Sequence, residues 1–404
     1  MVLGVDSVAA WSQLGADAAI RLDGVEIRLV ELELVHPVRT SRGEHRRRPV
    51  VLVRLVGDDG GVPVGGWGEC AALADATYDR EDVDSAFSTL AETLGPALLS
   101  LAKEGMLPSI GALEALRSLA PRAPLAYAAL EMAVADTHLR ATGTSFADLM
   151  GVSRDQGPVP VGAVVGESGG DLAGLLERID ALVAQGYARV KMKIGRDADV
   201  EPIGAVRRAH PGLFLQADGN EDYTEADIDH LAELDTYALA CLEQPFARGD
   251  LGAHAHLARR ITTPVCLDES LDSPQMVRSA LETGACSVVC VKPSRLGGFG
   301  PALEAIRFCV ASSVPVWIGG MFETGFARAA NITLAAASGS PWPGDLSPAD
   351  SYLRQDLIPA AVPAYDPRTV VPDRAPGMGP ALDQATVDRH TARIVHLDAG
   401  PGSG

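Results

Sequence analysis

Hydrophobic patterning divides the chain into two textures. Between residues 24 and 70, polar and apolar positions alternate through "VEIRLVELELV". A second apolar run follows in "PVVLVRLVG", and "GGVPVGGWGEC" supplies turn glycines before a third strand. From Arg80 to Gly151, apolar residues recur at threes and fours in "EDVDSAFSTLAETLGPALLSLAKEG" and "RAPLAYAALEMAVADTHLRATG", the second ending in glycine. Together these predict an α+β domain over residues 24–155. After "SRDQGP" the texture changes, and short apolar runs alternate with helical stretches. The runs are "VPVGAVV", "YARVKMKIG", "LFLQADGN", "ALACLEQP", "TPVCLDES", "SVVCVKPS" and "VPVWIGG". Strands apolar on both faces and alternating with helices predict a parallel sheet covered by helices, over residues 156–345. Residues 346–404 lack clear periodicity and are expected to pack back on the N-terminal domain. Residues 1–23 are expected to be an unstructured leader.

One spacing carries the chemistry. Lys193, Asp218, Glu243, Asp268 and Lys292 are separated by 25, 25, 25 and 24 residues, each at the carboxyl end of its apolar run. That step is the length of one βα unit, so each advances one strand around a sheet. A closed barrel assembles its active site at this face from several strand ends, whereas an open sheet places its ligand between two strands. The spacing therefore favours a barrel. Taken singly, Asp218 or Asp268 could be a helix N-cap. Three carboxylates in phase repel one another unless a cation lies between them, and oxygen-only donors select Mg²⁺, with Mn²⁺ as a substitute. Histidine-based sites look poor: no HExxH occurs, and His254 and His256 are expected to be exposed on a helix. Lys191 and Lys193 share one strand face, with Met192 opposite. Near a cation and other lysines their ammonium pKa is expected to fall, freeing an amine as base. Lys292 would reach the mouth from the far side. A metal-anchored carboxylate with a base on each face suits proton abstraction α to that carboxylate.

Composition removes other classes. The 404 residues are 47% hydrophobic and 22% charged, which supplies a large core. The net charge of −19, with no basic stripe beyond Arg46-Arg47-Arg48, argues against nucleic acid as a partner. All six cysteines lack CxxC pairing and read as buried reduced thiols. No apolar stretch of about 18 residues without charge predicts a membrane span, and no signal peptide is evident. The expectation is a soluble cytoplasmic protein.

The segments "VKMKIG", "QADGN", "LEQPF", "CLDESL", "VKPSRLGG" and "IGGMFETGFARAANITLAAA", with "GWGEC" and "PLAYAALEMAVADTHLRATG", resemble the muconate-lactonizing subgroup of the enolase superfamily. Within it they are most similar to o-succinylbenzoate synthases and N-acylamino acid racemases, over residues 24 to 360. The resemblance implies a modified (β/α)7-8 TIM-type barrel with an N-terminal α+β capping domain completed by the C-terminal segment. It implies Mg²⁺ on Asp218, Glu243 and Asp268, acid/base lysines Lys193 and Lys292, and Lys191 tuning Lys193. Asn220 and Glu269 match supporting positions behind the ligands. Arg295, Gly320, Met321 and the cap loop "HPVRTSRG" match substrate-pocket segments, and Arg295 matches racemase-capable members. The implied reaction is dehydration of the cyclohexadiene carboxylate SHCHC to o-succinylbenzoate through an enediolate, in menaquinone biosynthesis. The alternative is racemisation of N-acylamino (N-succinylamino) acids, or dipeptide epimerisation, with the same lysines. Members are often oligomeric, so a homo-oligomer is expected.

Two departures bear on substrate. Val164 stands where close relatives carry a small polar residue, and Phe322, Phe326 and Ala327 replace aliphatic and glycine residues. Muconate cycloisomerisation, a Schiff-base aldolase on Lys292 and a non-catalytic barrel also fit parts of the pattern. The aldolase leaves the three carboxylates unexplained.

Overall fold

The computed structural model describes residues 5–40, 43–76, 78–166, 171–359 and 369–399. Strands are numbered β1 to β13 in chain order. β1 (Arg21–Thr40), β2 (Gly43–Asp59) and β3 (Val62–Cys70) form an antiparallel sheet in the order β13-β1-β2-β3. β13 (Thr391–Asp398) pairs antiparallel with β1 from Gly24↔Asp398 to Val30↔Thr391, so the C-terminal segment completes the cap sheet. The alternation in β1 has its predicted consequence: Val30, Leu32 and Leu34 are buried while Glu33 is exposed.

Helix Pro124–Ala141 is buried without a break from Leu125 to Leu139, because the cap sheet lies on one side and the barrel on the other. Glycine permits this contact. A Cβ at Gly68 of β3 would lie 1.9 Å from the Ala129 carbonyl oxygen, so any side chain there would lift the helix off the sheet.

Seven parallel strands follow in sequential order: β5 (Gly162–Val165), β6 (Arg189–Lys193), β7 (Phe214–Asp218), β8 (Leu242–Glu243), β9 (Val265–Leu267), β10 (Val288–Val291) and β11 (Val316–Ile318). Residues 344–345 stand in for an eighth. The Gly162 N–H donates to Gly344 O at 2.9 Å, and the Asp345 N–H donates to Ile318 O at 3.1 Å, joining β5 to β11. The run "VPVGAVV" is divided: β4 (Val159–Pro160) pairs antiparallel with β12 (Thr369–Val370), and only the remainder enters the barrel. Cys241, Cys266, Val288, Cys290 and Trp317 form a separate core cluster on β9–β11 and the residue preceding β8. All six cysteines are buried and unpaired.

Two expectations are corrected. Residues 5–13 of the leader form a helix, Val5–Gln13, while residues 1–4 lie outside the described residues. Trp11 anchors it: the ring is 2% exposed, packs on Phe146 and Phe299 at 5.5 and 5.8 Å, and donates from Nε1 to Glu131 at 3.3 Å. A nine-residue helix held by one aromatic leaves little periodicity to read. His254 is fully buried, not exposed. Its Nδ1–H donates to Asp250 O at 2.7 Å, and its Nε2 accepts the Phe246 N–H at 3.4 Å. The imidazole satisfies two backbone groups where the helix meets the preceding loop. His256 is exposed.

Candidate active site at the carboxyl ends of the barrel strands

The strand register explains the spacing. Lys193 pairs with Asp218 across β6 and β7, and Asp218 pairs with Glu243 across β7 and β8. Glu243 pairs with Cys266, so Asp268 lies two residues further toward the mouth on the same face. Val288 pairs with Cys266, which brings Lys292 a further step up. The climb is the stagger that barrel closure requires.

Each lysine is bonded to carboxylate. Lys193 Nζ donates to Asp218 Oδ2 at 2.6 Å and to Asn220 Oδ1 at 2.5 Å. Lys191 Nζ lies 2.7 Å from Asp345, 3.1 Å from Glu243 and 3.3 Å from the same Asp218 oxygen, 4.9 Å above the Trp317 ring. The two lysines of K-x-K thus share one oxygen, which couples their charges. Lys292 Nζ donates to Asp268 Oδ2 at 2.6 Å and to the Tyr78 hydroxyl. Tyr78 in turn donates to Asp268 Oδ2 at 2.7 Å. Asn220 links the two sides, donating to Glu269 Oε1 at 2.9 Å.

These pairings set the pKa directions of the two buried lysines, Lys191 and Lys292. Burial pulls Lys191 down, but Asp345, Glu243 and Asp218 outweigh it and hold the ammonium well above its ordinary value. Burial pulls Lys292 down as well, and Asp268 outweighs it. Carboxylates, not neighbouring cations, decide both. Glu243 is pushed up to about 8, by burial first and then by the Asp218 charge, with Asp268 adding to it.

Oxygen donors from Glu243 and Asp268 lie within 4.8 Å of each other and of Cys290 Sγ, all three buried. Asp218 stands outside that group, drawn to Lys193 and Lys191. The Asp218 and Asp268 charges that push Glu243 up are a repulsion that a hard divalent cation would relieve.

Residues 174–386 match the family described as Enolase C-terminal domain-like, and residues 24–151 match the mandelate racemase / muconate lactonizing enzyme N-terminal domain. The chain belongs to the enolase superfamily. An N-succinylamino acid racemase of Amycolatopsis is 40% identical over 343 residues, 84% of this chain and 89% of the relative. An o-succinylbenzoate synthase of Geobacillus stearothermophilus is 37% identical over 94% of this chain and 99% of its own. A solved enolase superfamily member from Listeria innocua superposes with a TM-score of 0.86 at 31% identity, covering 94% of this chain and 100% of that one. The capping domain and barrel are therefore those of the superfamily.

The remaining predicted pocket residues fall in different places. Arg295 is buried, bonded to Asp268 through Nη1 and to Asp79 at 3.1 Å, with its guanidinium over the Tyr78 ring. Met321 is buried beneath the mouth, its sulfur accepting from Ser294 Oγ at 3.3 Å. Gly320 backs onto Arg328 and the Asp345 carbonyl. Val164 and Phe322 are large apolar side chains left 45% and 40% exposed. Phe326 and Ala327 are buried on helix Gly325–Ser338. Of the cap loop, residues 41 and 42 lie outside the described residues.

Sequence reasoning missed the residues that bond the predicted ones from behind. Arg189 donates to Gln216 at 2.8 Å and bonds Asp345, and Gln216 donates to Glu243. Both lie two residues before a predicted site residue, Arg189 before Lys191 and Gln216 before Asp218. The period of two could have found them. Asp345 and Tyr78 carry no such signal, since each arrives from a distant loop.

Proposed function

We propose that this enzyme is an o-succinylbenzoate synthase, dehydrating SHCHC, with racemisation of N-succinylamino acids as a second activity of the same site. The observation that carries the reading is the unequal exposure of the lysines. The Lys193 side chain is 28% exposed, against 3% for Lys191 and 4% for Lys292. This inequality supports one lysine exchanging protons with a substrate and two acting as fixed cations.

Asp218, Glu243 and Asp268 would hold Mg²⁺, which supplies electrostatic stabilisation of the charge that develops on a substrate carboxylate. Lys193 Nζ takes the α-proton, and the electron pair of the broken C–H bond moves onto the substrate carboxylate. That pair then returns to form the ring double bond as the C–O bond breaks, and the same Nζ returns the proton, so the leaving hydroxyl departs as water. Lys292, held by Asp268 and Tyr78, faces the developing negative charge as an ammonium. Lys191 sets the charge beside Lys193 through their shared Asp218 oxygen. Asn220 fixes Lys193, and Arg295 balances Asp268.

Racemisation asks more of Lys292, which must then act as the second base. The 40% identical Amycolatopsis relative named a racemase favours keeping this activity in view. Lys292→Arg separates the two, since it keeps a cation and loses a usable base. Measurable SHCHC dehydration with racemisation abolished is the expected result. Dehydration lost as fully as in Lys193→Ala would overturn the one-base assignment.

A further inference from the structure

The basic run Arg46-Arg47-Arg48 found no use in the reaction, yet the structure turns its last member inward. Arg48 lies on β2 opposite Leu32, is 4% exposed, and among the described residues bonds no carboxylate directly. Its three guanidinium nitrogens donate to backbone carbonyls of both domains. On the cap side these are Pro49, Ala72 at 2.6 Å and Ala71 at 3.1 Å. On the barrel side they are Met321 at 3.3 Å and Phe322 at 3.1 Å. Glu69 on β3 secures the next step of the same loop, accepting the Thr324 N–H at 2.8 Å and its hydroxyl. The cap thus grips residues 321–324 with a donor and an acceptor three residues apart.

What it grips is strained. Phe322 has φ of 56°, a left-handed conformation that a bulky aromatic rarely adopts. The ring stands edge-on to Tyr352 at 5.3 Å and keeps one side open at the mouth. The loop begins against the site itself, with Gly319 beside the Lys292 stem and Met321 bonded to Ser294. A planar fork of donors on the 321 and 322 carbonyls fixes the peptide orientations that this conformation needs.

We propose that Arg48 is a positioning residue: from the cap it holds the loop after β11 in its strained form, so that Phe322 forms a wall of the substrate mouth. The assignment rests on the reading of this mouth as the active site. Arg48 acts through the loop and touches no substrate. Its loss should weaken substrate binding more than the chemical step.

The test is a double-mutant cycle of Arg48→Lys with Phe322→Gly, read as KM and kcat for SHCHC. Glycine adopts a φ of 56° without strain, so it removes the need for the clamp. Arg48→Lys alone is expected to raise KM about tenfold with a smaller change in kcat. In the Phe322→Gly background the same change should move KM little. Equal fold-changes in both backgrounds would overturn the proposal, since a purely structural arginine gives additive losses. Amide exchange of the full chain reads the clamp without turnover. Arg48→Lys should speed exchange at Thr324 and Gly325 and leave β7 unchanged, and unchanged loop exchange would overturn it. A wild-type protein inactive on SHCHC with that faster exchange refutes the proposed reaction and retains the clamp.

Discussion

Gly319→Ala perturbs the site without altering any functional group. A Cβ there would lie 2.6 Å from Lys292 Cε, 2.9 Å from its Cγ and 2.8 Å from Cys290 Sγ. Comfortable contact begins near about 3.5 Å, so the Lys292 stem must move by about 1 Å. It cannot move freely, because the ammonium is bonded to Asp268 at 2.6 Å and to Tyr78. A displacement of this size at a reacting centre costs on the order of 10²-fold in rate, and overpacking costs about 1–3 kcal/mol of stability. Steady-state kinetics on SHCHC should show kcat falling by about 10²-fold. Wild-type kcat in the folded variant would refute the claim that Lys292 must sit where Gly319 lets it.

Four further outcomes follow from the same contacts. Lys193→Ala should abolish dehydration while leaving magnesium binding intact, and retained turnover would remove Lys193 as the proton carrier. Asp345→Ala strips a counter-charge from buried Arg189 and Lys191, and urea unfolding should show a loss of about 3–5 kcal/mol, whereas a neutral result would contradict the network. Glu81 accepts the Leu125 and Ala126 N–H groups and is pushed up to about 8 by burial, from 4.5 for the free group, so its stabilisation is full below 4.5 and lost as pH rises through 8. Measured against Glu81→Gln, the wild-type advantage should shrink over that window, and an advantage that grows with pH would reverse the assigned sign. Trp11→Ala should cost about 3–5 kcal/mol in urea unfolding, and a negligible loss would make the leader helix dispensable.

What the sequence disclosed was what a repeat length can encode. Spacing near 25 residues equals one βα unit, so Lys193, Asp218 and Glu243 emerge as direct register partners. The barrel was legible for the same reason, the cap from its alternating and helical periodicities, and the superfamily from the motif segments. Arg189 and Gln216 were legible too, one period of two below their neighbours, but only strand ends were read. Asp345 was not legible: it takes the place of a strand without an apolar run to announce it. Tyr78 and Arg48 come from the cap, and nothing local says that a loop tyrosine or the last of three arginines turns toward the barrel. The carboxylates that hold Lys191 and Lys292 above their ordinary values were only partly legible, because Asp345 and the pairing of Asp268 with Lys292 do not show in the spacing. His254 and the leader helix were missed because each is fixed by a few tertiary bonds rather than by a periodic face.

The most direct test of the synthase reading is the absorbance of SHCHC on adding purified protein with Mg²⁺, against a sample carrying EDTA. Rapid, EDTA-sensitive loss is expected if Asp218, Glu243 and Asp268 hold the cation beside Lys193. No loss by protein shown to bind Mg²⁺ would contradict it, and would leave racemisation of N-succinylamino acids as the reaction to measure.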